Sequence, residues 1–305
     1  MRVVIVGGAG FIGTALAQAL ATQGAHPVVL DTAARLANAA KLLPSIETAS
    51  FDFTSSHEPI ALLAGADAMV HLACTTNPAH SMNNIAWDVE SNIPPSIRLF
   101  EAAVAAGIRR VVFASSGGTV YGAPAHLPVS ETHPTRPLCA YGISKLAIEH
   151  YLALFPALRG ISLRIANPYG PHQLAGSTVG VIARFVSAVR RRSPIEVWGD
   201  GSIVRDYIAI EDVVDAFLLA IVEPELPAGA YNIGTSIGSS VNEVLAAVFD
   251  ASGYQVPVTY TPGRAYDVPA IALSSERFMR VVPWKPRTPL AAGVASLWRA
   301  ARSFR

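Results

Sequence analysis

The opening of the chain is its most constraining feature, because a short apolar run leads directly into closely spaced glycines. Val3 to Val6 predicts a buried strand, and Thr14 to Thr22 has the pattern of a helix. Between them Gly7 would permit a tight turn, Gly10 would let the backbone approach a pyrophosphate, and Gly13 would let helix and strand pack closely. A strand, a glycine-rich turn and a helix in this order predict a dinucleotide-binding unit with phosphates at the helix N-terminus.

The residue that ends the next apolar run indicates which dinucleotide binds. Asp31 follows Pro27 to Leu30 and lies 18 residues after Gly13. A carboxylate at this position can bind both ribose hydroxyls and would repel a 2′-phosphate, so we predict NAD rather than NADP. The alternative is a strand that simply ends in a solvated aspartate.

Strand-like and helix-like segments alternate through the first half of the chain. Short β-branched runs precede longer helical patterns at Ser91 to Ala106 and Tyr141 to Phe155, which predicts a parallel sheet covered by helices on both faces. We therefore predict an α/β fold, a doubly wound parallel sheet of the Rossmann type over residues 1–166, to which a segment at about residues 202–225 returns. The Gly- and Pro-punctuated remainder, residues 167–305, predicts a smaller α/β substrate region at the carboxyl edge of the sheet.

The amino-acid composition limits the classes of partner that we expect the protein to bind. A net charge of +1, with 51% apolar and 15% charged residues, is typical of a compact enzyme and gives no basis for nucleic acid or a membrane surface as a partner. No segment offers about 18 uninterrupted apolar residues, so we predict no transmembrane helix. The eight histidines and the distant Cys74 and Cys139 lack metal-ligand spacing, which predicts no metal, no disulfide and a reduced, cytoplasmic setting.

Tyr141 and Lys145 are the strongest candidates for chemistry. Their separation of four residues places both on one face of the predicted helix. A tyrosine is a poor base while its pKa stays near about 10, but a lysine cation and a nearby nicotinium would favour the phenolate. Alone, the pair could be an amphipathic helix surface. Together with the glycine loop and the segment SSGGTVYG, Ser115 to Gly122, it predicts an active site.

These motifs together resemble the extended short-chain dehydrogenase/reductases, the NAD-dependent epimerase/dehydratase family, and in particular its UDP-galactose (UDP-glucose) 4-epimerase group. The resemblance covers essentially the whole chain and includes HLAC from His71, Asn92, RIANPYGP from Arg164 and VRDYI from Val204. It implies bound NAD, a nucleotide-sugar substrate, most often a UDP-sugar, and a homodimer formed through the two helices near residues 91–106 and 141–155.

The resemblance also implies where the cofactor binds, with Asp52 and Phe53 beside the adenine. The implied contacts are Gly7, Gly10, Phe11, Ile12, Gly13, Asp31, Asp52, Phe53, Leu72, Ala73, Asn92, Ser115, Tyr141 and Lys145. One departure follows Asn92, because Pro94 and Pro95 stand where relatives usually have Gly-Thr. Proline suits a first helical turn, so we expect the change only to reset the start of this helix.

By the same resemblance Tyr141 is the catalytic base, and Lys145 is its partner and holds the nicotinamide ribose. The family's catalytic Ser/Thr has two possible positions here. Counting back from the TVYG end of the motif gives Gly117, whereas counting back 25 residues from Tyr141 gives Ser116. We expect Ser116 because only it offers a hydroxyl, and Thr119 is the alternative.

The second region resembles the family's nucleotide-sugar site. Asn167, Arg205 and Arg264 match residues around the diphosphate, which paired guanidinium groups are suited to bind. Trp198 matches a residue that packs by the nucleobase. The alternatives are surface ion pairs of the two arginines with nearby aspartates, and a tryptophan that belongs to the core.

Ile271 matches a position where relatives carry either a bulky tyrosine or a much smaller side chain beside C2 of the sugar. Isoleucine would leave more room than tyrosine and an apolar wall, so we expect a 2-acetamido sugar to be accepted beside its 2-hydroxy counterpart. The alternative is that Ile271 packs in the core.

The reaction is indicated by residues that are missing. Gly118 and Thr119 occupy the places where dehydratases of this group carry an Asp-Glu pair and decarboxylases tend to carry a glutamate. A ketoreductase would normally use NADPH, which Asp31 disfavours. We therefore expect C4 epimerisation with a retained NAD, commonly in polysaccharide biosynthesis. The alternatives are a dehydratase or 4-ketoreductase of the same family, and a non-catalytic NAD-binding regulator, which the presence of Tyr141 and Lys145 disfavours.

Overall fold

The computed structural model describes residues 1–55, 59–175, 180–263 and 268–303. The strands, β1 to β12 in chain order, are Arg2–Val6, His26–Asp31, Glu47–Ser50, Ala68–His71, Arg110–Ser116, Arg159–Ile165, Asn167–Tyr169, Ile195–Trp198, Val204–Ala209, Gly229–Ile233, Gly238–Ser240 and Val258–Thr261. The helices, α1 to α12, are Phe11–Thr22, Ala33–Ala39, Ile60–Leu63, Pro78–Asn83, Ile85–Ala105, Gly117–Val120, Ala140–Ala153, Val181–Arg191, Ile210–Val222, Val241–Ser252, Glu276–Met279 and Leu290–Ser303. Short 3₁₀ helices lie at Ala40–Leu42 and Pro171–Ala175.

A parallel sheet forms the centre of the larger domain. Among the described residues it has seven strands in the order β10-β6-β5-β4-β1-β2-β3, and the neighbouring strands run parallel. Val3 to Val6 are 0% exposed, as expected for a strand covered on both faces. The strand order reverses between β1 and β4, and ligands of such sheets bind at the carboxyl edge of this switch point. The predicted doubly wound Rossmann fold is confirmed.

Helices pack on both faces of this sheet. On one face α1 and α9 pack together and contribute Leu16 and Phe217 to the larger hydrophobic core. On the other face α5 and α7 pack together, with Phe100 and Ile148 buried in the same cluster as Phe113 of β5. Helix α7 is therefore held against the central strands by an apolar layer.

The smaller region has its own core. β7, β9 and β11 form one small sheet, β8 pairs with β12, and α8, α10 and α12 pack around Phe185, Val248 and Trp298. The segment that returns to the large domain differs from the predicted range of about residues 202–225. β9 stays in the small sheet beside β7. Helix α9 and β10, within residues 210–233, join the large domain, because β10 pairs with β6.

Helix α5 begins earlier than the sequence analysis expected. Asn84 caps it by accepting a hydrogen bond at 3.0 Å from the backbone N–H three residues later. Pro94 and Pro95 consequently lie inside the helix, and the expectation that they reset its start is wrong. Prolines lack the N–H that would bond the carbonyl four residues earlier. The Ser91 hydroxyl, the Asn92 amide and the Ser96 hydroxyl donate to other carbonyls of the same helix, those of Trp87, Asp88 and Asn92 respectively.

Within the residue ranges that the structure describes, no helix is both long and apolar enough to cross a membrane. In the same ranges, no three His, Cys, Asp or Glu side chains are grouped so that they could hold a metal ion. Both cysteines are free thiols.

Candidate active site

The turn after β1 has the geometry of a phosphate-binding loop. Gly7 adopts a φ of 80°, and a Cβ there would lie 2.5 Å from the backbone nitrogen of Ala73. A Cβ at Gly13 would lie 2.5 Å from the Cα of Gly8, so α1 packs directly on the turn. Gly10 is different. Within the described part of the chain, a Cβ there would meet only the Gly7 carbonyl oxygen, at 3.3 Å.

The open side of this loop fits the pyrophosphate of a dinucleotide. Helix α1 begins at Phe11, with Gly10 as its N-cap, no capping side chain and no acidic residue in its first turn. The first N–H groups of a helix, here those of Phe11, Ile12 and Gly13, have no partner within the helix and attract an anion. The residues present therefore suit NAD at this turn.

Asp31 is positioned by the same loop. Its carboxylate accepts hydrogen bonds from the Ala9 N–H at 3.1 Å and the Thr32 N–H at 2.9 Å. Asp31 is 6% exposed, and Arg35 lies 3.9 Å from its Oδ2. It is thus held beside the glycine turn and is not the solvated aspartate of the alternative interpretation. A carboxylate has further acceptor capacity, which two ribose hydroxyls would use.

The predicted adenine side lies at the ends of β3 and β4. Leu72 and Ala73 directly follow β4. They lie against the glycine turn after β1, because a side chain on Gly7 would collide with the backbone of both. The Phe53 ring is 5.1 Å from the buried histidine ring that ends β4, and Asp52 is exposed beside it. The structure therefore brings these predicted cofactor residues to the same edge of the sheet.

Tyr141 and Lys145 lie on the face of α7 that packs on the end of β5. Lys145 is 4% exposed, and its Nζ donates a hydrogen bond to the Ala114 carbonyl at 2.8 Å. The same Nζ is 5.6 Å from the centre of the Tyr141 ring. Ser116 lies close enough to Tyr141 to lower the pKa of its phenol, and the Tyr141 N–H donates to Ser81 Oγ at 3.0 Å. The structure thus brings the predicted pair and Ser116 together.

The surroundings of Tyr141 keep its phenol protonated in the protein alone. Burial raises the pKa of Tyr141 well above its usual value, and the charge of an ionised Cys74 would act in the same direction. Ser116 lowers this pKa but does not offset burial. Positive charge close to the ring is therefore needed before the phenol can act as a base.

The position of the catalytic hydroxyl can be judged from the three candidates. A Cβ at Gly117 would collide with the Leu273 side chain and lie 2.9 Å from a backbone oxygen of β6, so this position faces the core. Thr119 Oγ1 is buried and has no hydrogen-bond partner in the described part of the chain. Ser116 lies close enough to Tyr141 to lower the pKa of the phenol. The geometry favours Ser116, as expected from the count back from Tyr141.

Two predicted cofactor residues have side chains that bond protein partners. Asn92 is 2% exposed, its Oδ1 accepts from the Thr75 N–H at 3.0 Å, and its Nδ2 donates to Thr75 Oγ1 at 2.8 Å. Ser115 is 5% exposed, and its hydroxyl donates to Glu149. Asn92 therefore holds the loop after β4, and Ser115 fixes the end of β5 beneath α7.

Buried charges near the site were missed by the sequence analysis. Glu149 and Arg164 form an ion pair at 2.7 Å, with side chains 7% and 8% exposed respectively. Asp88 is 0% exposed and accepts a hydrogen bond from Ser144 at 2.6 Å, which ties α5 to α7. A signal for Glu149 existed, since it stands four residues after Lys145 on the same helical stripe. Asp88 had no such signal, because its partner is distant in sequence.

The predicted diphosphate residues come from the small region. The Oδ1 of Asn167, in β7, is 3.5 Å from the place a Cβ would take on Gly118, which sets it beside the SSGG segment. Arg205, in β9, donates to two backbone carbonyls at 2.9 and 2.6 Å. The neighbouring Asp206 is 1% exposed, and its carboxylate accepts hydrogen bonds from Thr235 and from backbone N–H groups. Arg264 lies outside the described residues.

The last two predicted substrate residues differ in exposure. Trp198 is 38% exposed at the end of β8, with the Arg184 guanidinium 5.2 Å from the ring centre, so it is not a core tryptophan. Ile271 is 2% exposed and packs in the larger hydrophobic core. This burial agrees with the alternative interpretation, in which Ile271 packs in the core, because a side chain that lines an open pocket would remain accessible to solvent. The expected acceptance of 2-acetamido sugars thereby loses its basis.

A tyrosine that lies beside a lysine four residues later, at the sheet edge next to a pyrophosphate-binding turn, is the arrangement of NAD(P)-dependent short-chain dehydrogenases and reductases. Comparison with known families gives a narrower assignment. The sequence model of the NAD dependent epimerase/dehydratase family matches residues 3–234, and the chain belongs to that family.

Individual relatives span the whole chain. The UDP-glucose 4-epimerase of Mycolicibacterium smegmatis is 35% identical, covering 97% of this chain and 96% of its own. The UDP-glucose 4-epimerase of Thermus thermophilus, solved with NAD, has a TM-score of 0.91 at 32% identity and covers 100% of both chains. The UDP-glucose 4-epimerase of Thermotoga maritima, solved with UDP-glucose, has a TM-score of 0.92 at 29% identity and covers 99% of both. The predicted family, fold and cofactor, NAD, are confirmed.

Proposed function

We propose that this protein is an NAD-dependent isomerase that inverts a nucleotide-activated sugar at C4, with a UDP-sugar as its substrate. The observation that carries this function is the position of Tyr141 at the end of β5, where its ring centre lies 5.6 Å from Lys145 Nζ and Ser116 is close enough to lower the pKa of its phenol. A sugar hydroxyl placed there meets a base on one side and the nicotinamide site on the other. Family membership and the similarity to UDP-glucose 4-epimerases support both the reaction and the nucleotide.

Tyr141, Ser116 and Lys145 have different roles at the 4-oxygen of the sugar. Tyr141 takes the proton of the 4-hydroxyl, and Ser116 donates a hydrogen bond to the same oxygen. Lys145, held by a backbone carbonyl, places its positive charge beside the phenol and favours the phenolate. NAD, when bound, supplies the acceptor for the C4 hydride and further positive charge. Tyr141 keeps the proton and returns it to the same oxygen after the 4-keto sugar has presented its other face, so no second acid or base is required.

The nucleotide half of the substrate is assigned to residues 167–305. Asn167 and Arg205 supply an amide and a guanidinium for the diphosphate, with Arg264 as a second guanidinium. Trp198 offers a partly exposed ring face for the base. Residues 1–166, with the returning segment, hold NAD. In this assignment the sugar lies between the two regions, at the carboxyl edge of the sheet.

We further infer a homodimer formed through α5 and α7. These helices pack side by side and expose large apolar side chains, with Ile85 at 55%, Trp87 at 48% and Ile143 at 54%, and Leu154, directly after α7, is 71% exposed. Exposed apolar side chains of this size indicate an interaction surface, and a two-fold axis would bury the same surface on both subunits. Free thiols and a nucleotide-sugar substrate favour the cytoplasm as its compartment.

The Tyr141→Phe variant tests the assignment of the base. Phenylalanine keeps the ring but cannot exchange a proton, so turnover should fall by about 10²- to 10⁴-fold, the usual worth of a positioned acid or base. Folding and bound NAD, measured by mass spectrometry of the released cofactor, should be nearly unchanged. Turnover of UDP-glucose or UDP-galactose that stays within a few-fold of the parent would contradict the assignment.

A further inference from the structure

Three side chains of α7, spaced four residues apart, contact three consecutive residues at the end of β5. Lys145 Nζ donates to the carbonyl of Ala114. Ser116, on the other side of Ser115, lies close enough to Tyr141 to lower the pKa of its phenol. The third, Glu149, accepts a hydrogen bond from Ser115 Oγ. A spacing of four places all three on one stripe of the helix. Helix α7 therefore cannot rotate or slide along β5 without breaking the three contacts together.

Glu149 is itself held by Arg164 of β6. The Arg164 Nε lies 3.0 and 3.1 Å from the two carboxylate oxygens, and its Nη2 donates to Glu149 at 2.7 Å. Arg164 is also the register partner of Ser115 between β5 and β6, so the carboxylate bridges two neighbouring strands. Burial lowers the pKa of Arg164, but the bonds and charge of Glu149 more than offset this and raise it above its usual value. Arg164 therefore keeps its positive charge beside Glu149.

The network continues beyond the ion pair. Arg164 Nη1 donates to the Tyr121 hydroxyl at 2.9 Å, and that hydroxyl donates to Asn232 Oδ1 at 2.7 Å. Tyr121 follows α6, the helix that Ser116 caps, and Asn232 lies in β10. One buried carboxylate thus links the helix of the base to the strand end and to the segment that follows Ser116.

The energetics of this network favour a role in geometry over a role in stability. A buried ion pair loses the hydration of both charges, and apolar side chains of similar volume often stabilise a protein as well or better. A fully hydrogen-bonded buried network, in contrast, specifies a single arrangement of the elements that it joins. Glu149 lies about two helical turns from Tyr141, so it acts on the reaction only through the placement of α7.

We propose that Glu149, held by Arg164, is a positioning residue that sets the register of α7 on the end of β5. It acts through Tyr141 and Lys145, so the proposal rests on the function proposed above. A misplacement of about 1 Å can cost about 10²-fold in rate. Loss of this register should therefore lower kcat while the binding of substrate and NAD persists.

The double variant Glu149→Leu, Arg164→Met removes the pair without leaving a buried charge. We expect its kcat to fall by about tenfold to a hundredfold, with KM within about threefold of the parent. Its bound NAD and thermal midpoint should stay close to those of the parent, because the charges are replaced by apolar volume. Glu149→Gln keeps an acceptor for Ser115 and should lose less kcat. If the double variant does not accumulate as holoenzyme, Glu149→Gln decides the question.

Leu152→Ala is the matched control on the same helix. Leu152 is 2% exposed and packs in the apolar layer, so its truncation should lower the thermal midpoint and leave the kcat of the folded holoenzyme unchanged. Parental kcat in the Glu149 variants would overturn the proposal. An equal loss of kcat in Leu152→Ala would also overturn it. Tyr141→Phe, measured in parallel, separates the two proposals: if it stays active, the proposed function fails, and if it alone is inactive, only the positioning role fails.

Discussion

Ser116 and Thr119 are three residues apart in one motif, yet their hydroxyls have opposite surroundings. Ser116 lies close enough to Tyr141 to lower the pKa of its phenol, whereas Thr119 Oγ1 is buried without a partner among the described residues. A buried hydroxyl without a partner costs desolvation and gains nothing in return. Counting along the motif could not choose between these positions, because it does not show on which side each side chain leaves the backbone.

The variants Ser116→Ala and Thr119→Val should consequently have different effects. Ser116→Ala removes a donor at the reacting oxygen and should lower kcat by about a hundredfold, the usual cost of one such donor. Thr119→Val replaces the unpaired hydroxyl with a methyl group of similar size, so activity should be unchanged and the thermal midpoint equal or higher. Steady-state kinetics and thermal unfolding check both. A large loss of kcat in Thr119→Val alone would assign the catalytic hydroxyl to Thr119.

Among the secondary-structure elements, the glycine turn was predictable from sequence and the start of α5 was not. The turn depends on local geometry, a positive φ at Gly7 and close packing at Gly13, and both leave their mark as glycines. Helix α5 instead begins at the Asn84 cap and continues through Pro94 and Pro95, although two prolines are a strong helix-breaking signal. Propensity alone therefore favoured the wrong boundary.

A glycine of positive φ can be required for its backbone conformation or because there is no room for a Cβ. The variants Gly7→Ala and Gly65→Ala separate these two reasons. Gly65 has a φ of 71° with no atom within 4 Å of an added Cβ, whereas a Cβ on Gly7 would lie 2.5 Å from Ala73 N. Gly65→Ala should lower the free energy of unfolding by about 1–2 kcal/mol, the cost of the left-handed backbone, and retain NAD. Gly7→Ala should cost more and lose NAD, as measured by chemical denaturation and cofactor content. Full NAD retention in Gly7→Ala would contradict the role of the turn.

In the molecule as a whole, contacts between sequence-distant segments join the two regions. Thr14 Oγ1 of α1 lies 3.2 Å from His172 Nδ1, in the 3₁₀ helix after β7. The Asp206 carboxylate of the small sheet accepts a hydrogen bond from the Leu273 N–H at 3.1 Å. Sequence patterns have short periods, so they predicted the order of strands and helices and the Tyr141–Lys145 pair, but not these contacts, the return of β10 or the burial of Ile271.

The assembly of the molecule can be tested on the exposed face of α5 and α7. Trp87→Lys combined with Leu154→Lys places charges in the proposed interface, and the cation near the end of α7 suits the helix dipole, so the subunit should fold. Light scattering should show a dimer for the parent and a monomer for this variant. Ile237→Lys is the control, because Ile237 is 68% exposed but lies on neither helix, and it should remain dimeric. A monomeric parent would remove the proposed homodimer.

Removal and return of hydride at one carbon can be followed most directly by proton NMR of UDP-glucose and UDP-galactose incubated with the holoenzyme in D₂O without added NAD. Because hydride would leave C4 and return to its other face inside the site, each sugar should convert to the same mixture of C4 epimers, and H4 should remain protium in both. Incorporation of deuterium at C4, a product that has lost water, or no conversion of either sugar by NAD-loaded protein would contradict this function.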